Sequence, residues 1–164
     1  MAKKPFNIID LVNSDGCFDL QFRKDTRHER TNSPTYYRWK AQFIVTTPKN
    51  KVKDLKLLQN KLNCGTIILS QGQARFAVQK INDIANIVVP YFKKNTLSGN
   101  KKKEFDLWEK GVNVIFKNKG QQLSSWKKFD ICTLIQVHKS SAKYKNKPRT
   151  PKWLEIAKSL TKAC

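Results

Sequence analysis

A mixed α+β domain is what this sequence predicts: an αββαββα core on a four-stranded antiparallel saddle-like sheet, helices on one face, two more helices at the C-terminus. Three observations carry that expectation. Two segments alternate apolar and polar residues with a strand's period, two more flank a short Gly-containing turn, and apolar residues at helical spacing lie between them. At 164 residues the chain is long enough for one domain that buries roughly 70% of its unfolded surface.

Pro5 suits the first turn of a helix, and Phe6, Ile9 and Val12 continue it to a stop at Asp15-Gly16. A strand follows with Phe18, Leu20 and Phe22 on one face and Asp19, Gln21 and Arg23 on the other. Residues Lys24 to Pro34 read as a polar loop. The second strand has the cleanest parity: Tyr37, Trp39, Ala41, Phe43 and Val45 against Arg38, Lys40, Gln42, Ile44 and Thr46. Pro48-Lys49-Asn50 breaks it and starts a helix carrying Val52, Leu55, Leu58 and Leu62, which Cys64-Gly65 ends. Thr66 to Ser70 and Ala74 to Gln79 form a hairpin around Gln71-Gly72-Gln73.

Ile81, Ile84 and Val88 mark a short helix closed by Pro90. Beyond a basic linker, Lys93 to Lys103, a longer helix carries Phe105, Trp108, Val112 and Ile115. The last two helices fall near Ser125 to His138 and Pro151 to Ala163, joined by a basic linker, Lys139 to Arg149. Residues 5–138 are therefore expected to form the α+β domain, and 139–164 a basic linker with a C-terminal helix.

The chain carries 33 Lys+Arg against 12 Asp+Glu, a formal net charge of +21. Self-repulsion on that scale opposes compaction unless a polyanion is near, and nucleic acid is the first candidate. No apolar run approaches the ~20 residues of a spanning helix, and no helix combines a large apolar face with a basic one. The start, Met-Ala-Lys-Lys-Pro-Phe-Asn, lacks a signal-peptide h-region. Cys17, Cys64, Cys132 and Cys164 are scattered without metal-ligand spacing, and only His28 and His138 could join them. Reduced, packed thiols are the expectation. The abundance of Lys, Asn and Ile suggests an AT-rich organellar genome, mitochondrial or chloroplast.

Two features bear on chemistry. The sheet's polar face offers Gln21, Arg23, Arg38, Lys40, Gln42, Arg75 and Gln79, and Arg and Gln are the side chains that pair bidentately with guanine and adenine edges. The second is Asp15, a carboxylate at a helix C-terminus, where the macrodipole disfavours negative charge. A bound metal ion would explain its place there.

The nonapeptide Ile8 to Gly16, with Leu11, Asp15 and Gly16 near consensus, resembles the LAGLIDADG motif with its middle degraded. Together with the element order, Trp39 to Thr46, Pro90-Tyr91-Phe92, Lys101 to Phe105 and Gln122-Leu123-Ser124, it makes residues 8 to about 138 resemble the LAGLIDADG homing endonucleases. The likeness is to the single-motif kind that acts as a homodimer. The resemblance implies cleavage of both DNA strands within a long site, with two copies of the first helix packed at a two-fold axis. It implies that Asp15 binds Mg²⁺ over a scissile phosphate and that Lys101 steadies the developing charge. Lys51 falls where such enzymes keep a basic or polar group, and Thr47 where close relatives carry a water-orienting Gln.

This chain departs from the pattern at Asp10, where the family packs its central helices through a small residue, and at Asn13, which replaces an internal acid. Two symmetry-related Asp10 carboxylates would repel one another. The alternative to a nuclease is thus a non-cutting descendant that binds nucleic acid, as an RNA splicing cofactor or an rRNA-binding ribosomal protein.

Overall fold

The computed structural model describes residues 5–26 and 35–144, with side chains described for 5–23 and 37–144. Helix α1 spans Ile8–Asp15. Its N-cap is Asn7, whose side-chain oxygen accepts from Ile9 N at 2.8 Å and Asp10 N at 3.4 Å. An asparagine cap satisfies amides that a helix start leaves orphaned, so the helix begins there and Pro5 stays outside it. At the other end the backbone turns straight into β1, Gly16–Thr26. Gly16 is required for its closeness to α1: a Cβ would stand 2.6 Å from the Val12 carbonyl oxygen.

β2, Thr35–Pro48, pairs antiparallel with β1, Phe18 opposite Phe43 and Arg23 opposite Arg38. A 3₁₀ turn, Lys49–Lys51, leads into α2, Val52–Leu62, which buries Leu55, Leu58 and Leu62. The hairpin β3, Thr66–Ser70, and β4, Gln73–Val78, returns the chain to the sheet. Strand order is β1-β2-β4-β3, all neighbours antiparallel. Gly65 leads into β3 at φ +88°, and a Cβ there would meet the Phe76 ring at 2.5 Å.

The next helix, α3, is one rod in three pieces: Ile81–Asp83, a π-helical stretch Ile84–Val88, and Val89–Lys94. The sequence predicts its close at Pro90 and Tyr91-Phe92. Instead the helix continues through Pro90, because the wider turn before it relieves the proline ring's clash and its missing donor. α4, Gly99–Lys117, already contains Lys101 to Lys103, so the expected linker shrinks to the few residues before it. α5, Lys128–Ser141, continues into a 3₁₀ turn, Ala142–Tyr144, past the expected end at His138. The segment Pro151 to Ala163 lies outside the described residues.

One sheet face carries the core. Phe18 stacks on Phe43 at 5.1 Å between ring centroids and meets Phe105 at 5.2 Å and Trp108 at 5.0 Å. Trp108 also donates its indole N–H to the Asp19 carbonyl at 2.9 Å, locking α4 onto β1. Cys17 and Cys64 form no disulfide, as expected. Cys132 is disulfide-bonded, a correction that scattered cysteine spacings could not supply.

Candidate nucleic-acid interface and catalytic centre

The face of the sheet away from the helices is where the polar positions gather. Across β1 and β2, Gln21 stands opposite Lys40 and Arg23 opposite Arg38. Arg38, Arg75 and Gln79 are exposed, while Gln21, Arg23 and Lys40 are half-buried. Trp39, Phe43, Phe18 and Phe76 are buried on the opposite face, so the strand register is the one the alternation predicts.

Gln42 is the correction on this face. It points away from the core, as its parity requires, yet only 3% of it is exposed. It sits on a central strand opposite Asp19, and its side-chain oxygen accepts from Gln79 Nε2 at 3.3 Å. Lys40 Nζ donates to Gln79 Oε1 at 3.1 Å, and Gln21 Nε2 donates to Asp19 Oδ2. Lys40, Gln79 and Gln42 thus form one hydrogen-bonded chain across this part of the face, with the Gln21–Asp19 pair beside it on β1. Arg23 and Arg38 lie beyond it along the same two strands.

At the end of α1, Asp15 is exposed and makes no hydrogen bond or ion pair with a described residue. It is no satisfied turn carboxylate. Lys101, 85 residues further along the chain than Gly16, reaches back from α4 and donates to the Gly16 carbonyl at 2.5 Å. The residue after Asp15 thus receives an ammonium group. Lys101 also pairs with Glu104 at 2.6 Å, and Glu104 is 1% exposed. The sequence gives Glu104 no role of its own; its signal is its place in the Lys101 to Phe105 segment that carries the family resemblance.

Lys51 is exposed at the end of the 3₁₀ turn before α2. Thr47 shares the parity of Val45, is 2% exposed, and its hydroxyl has no hydrogen-bond partner. The structure therefore brings Lys101 to the Asp15 end of α1, places Lys51 on the surface and sets Thr47 among core-side residues. Among the described residues no group of three or more His, Cys, Asp or Glu side chains converges to hold a metal. No helix of the described residues is long and apolar enough to cross a membrane.

The sequence profile of the LAGLIDADG endonucleases matches residues 11–112, more than half of the chain. The chain belongs to that family. Its fold superposes on the homing endonuclease I-TnaI with a TM-score of 0.69 at 15% identity, covering 98% of this chain and 99% of that one. Against I-SmaMI bound to an uncleaved DNA target with calcium ions the TM-score is 0.70 at 17% identity. That match covers 96% of this chain and 49% of I-SmaMI. I-GzeII in complex with its DNA target gives 0.62 at 18% identity, covering 86% of this chain and 44% of that one. The LAGLIDADG chain described here thus spans nearly all of I-TnaI and about half of I-SmaMI and I-GzeII. At such identities the likeness shows the fold. No curated protein matches the sequence.

Proposed function

We propose that this LAGLIDADG protein is a site-specific double-strand DNA endonuclease that lays its open sheet face on the duplex. The observation that carries the reading is the junction of α1 and β1. An exposed carboxylate, Asp15, is followed by Gly16, whose carbonyl receives a lysine ammonium from a distant helix, where the strand with the basic face begins. Phosphodiester hydrolysis needs that pairing, an acid to hold a cation and a base-side positive charge for the developing anion.

The donor set suits Mg²⁺. That ion keeps several waters and is held by one or two carboxylates plus substrate phosphates, so one exposed Asp15 with no competing partner is sufficient protein ligation. Bound there, it would polarise the scissile phosphate and lower the pKa of an attacking water. The chain's own residues do the rest. Asp15 holds the cation, and Lys101 presents its ammonium to the charge that builds on the phosphorus oxygens. Lys51 adds positive potential just past the end of β2, and Thr47 occupies the position of the relatives' water-orienting residue. Gln21, Arg23, Arg38, Lys40, Arg75 and Gln79 read base edges and phosphates, with Gln42 holding Gln79 in place. I-SmaMI and I-GzeII, each bound to a DNA target, share this fold.

A duplex has two scissile phosphates and one chain supplies one Asp15, so two copies act together through α1. Asp10, exposed on α1, then lies near its symmetry mate. The abundance of Lys, Asn and Ile alone suggests an organellar home. The second reading, a non-cutting nucleic-acid binder such as an RNA splicing cofactor or rRNA-binding ribosomal protein, is favoured by Thr47, whose hydroxyl is buried on the core side of β2.

Incubation of the protein with a randomised duplex library and Mg²⁺ tests the proposal. The wild type should enrich one cut site, and Asp15→Asn should abolish cutting while binding that site as tightly or slightly more so. A wild type that cuts nothing, or an Asp15→Asn variant that cuts at the wild-type rate, would sink the nuclease and leave the binder.

A further inference from the structure

We infer that Glu104 is a positioning residue that sets the Lys101 ammonium at the end of α1. Both ends of its carboxylate are committed. Oε1 accepts the Phe18 backbone N–H at 3.2 Å, and Oε2 accepts Lys101 Nζ at 2.6 Å. β1 is an edge strand, so alternate N–H groups along it face away from β2. The Phe18 amide is one that would otherwise be buried without an acceptor. Glu104 uses that amide as an anchor, which fixes the carboxylate to the strand rather than to its own flexible side chain.

The anchored carboxylate then orients the lysine. Lys101 and Glu104 lie three residues apart on α4 and so share one face of the helix. A lysine ammonium on its four-carbon stem samples many rotamers unless something holds it. Here Glu104 and the Gly16 carbonyl take two of its three N–H donors, leaving one for an incoming anion. The ammonium is therefore placed before any substrate arrives, as electrostatic preorganisation requires. The ion pair also leaves the junction with little net charge of its own, so Lys101 contributes to chemistry more than to capture of DNA. This role in cleavage rests on the endonuclease reading above; the placement itself does not.

Two measurements separate the two claims. The first is a ¹H–¹⁵N spectrum of lysine ammonium groups at low temperature, on the full chain without DNA. The wild type should show a slowly exchanging ammonium signal that disappears in Lys101→Arg. Glu104→Gln, which keeps an oxygen for Phe18 but loses the charge, should abolish that signal while the protein stays folded. Absence of the signal in the wild type, or its persistence unchanged in Glu104→Gln, would overturn the inference. Where Glu104→Gln does not fold, the wild-type spectrum decides alone.

The second is single-turnover cleavage of the duplex selected from the library by the wild type. Glu104→Gln should cut at least tenfold more slowly with Mg²⁺, yet bind in Ca²⁺ with a Kd unchanged within threefold or tighter. A merely structural role would move both values or neither, and an unchanged rate would overturn the positioning role. A wild type that cuts no duplex removes the endonuclease reading, while the ammonium spectrum still decides whether Glu104 fixes Lys101.

Discussion

At its first residues β1 meets charge that is buried, paired and fixed; further along, at Arg23, it carries charge that is half-exposed and backed by a second guanidinium on β2. The Glu104–Lys101 pair holds a 1%-exposed carboxylate and a lysine side chain only 17% exposed. Arg23 and Arg38 stand opposite one another near solvent. The contrast separates two uses of positive charge. On the endonuclease reading, geometry would matter most in the first place, and the number of cations brought to the phosphates would matter most in the second.

The largest expected effect breaks the buried end. Lys101→Ala leaves Glu104 buried without its ion partner, and loss of one member of such a pair costs about 3–5 kcal/mol. Cleavage would vanish with it, so this single variant confuses folding with chemistry. Lys101→Met combined with Glu104→Gln removes both charges at similar volume, and its stability should return close to the wild type's. Urea unfolding of the single and double variants measures the difference. A Lys101→Ala variant as stable as the wild type would mean that water, not Lys101, balances Glu104.

The exposed end should respond quite differently. Arg23→Gln and Arg38→Gln together should leave stability nearly unchanged and weaken binding to all duplexes alike. The log–log salt dependence of the affinity should flatten by about 0.9 for each phosphate no longer neutralised. A variant that loses affinity for one sequence and keeps it for others, with an unchanged slope, would move these arginines from phosphate binding to base readout.

How much of this contrast the sequence carried depends on what kind of neighbour each residue needs. The faces of β1 and β2 were legible because side-chain parity is a local property: Trp39 and Phe43 went in, Arg38 went out. Gln42 obeyed parity and still came out buried, since its cover comes from Gln79, 37 residues away in sequence. Asp15 was legible as a carboxylate at an odd place on a helix. Glu104 was not, because the anchor that explains it, the Phe18 amide, lies 86 residues away. Pro90 misled for a related reason. A proline predicts a stop only when the preceding turn is regular, and the π-helical stretch Ile84–Val88 is not.

Thr47 offers the smallest effect and separates two roles for its hydroxyl within the endonuclease reading. Its hydroxyl is buried at the end of β2 with no hydrogen-bond partner, a state that costs a folded protein about 1–3 kcal/mol. Thr47→Val replaces the hydroxyl with a methyl of nearly the same shape, so stability should stay level or rise by about 1 kcal/mol, read from thermal or urea unfolding. If the hydroxyl only fills space, cleavage at the selected site keeps its rate while the protein becomes more stable. If the unpaired hydroxyl is kept to order a water at the scissile phosphate, the rate falls although the fold is stronger. Our expectation is the first outcome, because a hydroxyl with no exposed surface on the core side of β2 does not reach a water at an exposed phosphate. A Thr47→Val variant that gains stability yet cuts more slowly would overturn that expectation and give Thr47 a part in the chemistry beside Asp15 and Lys101.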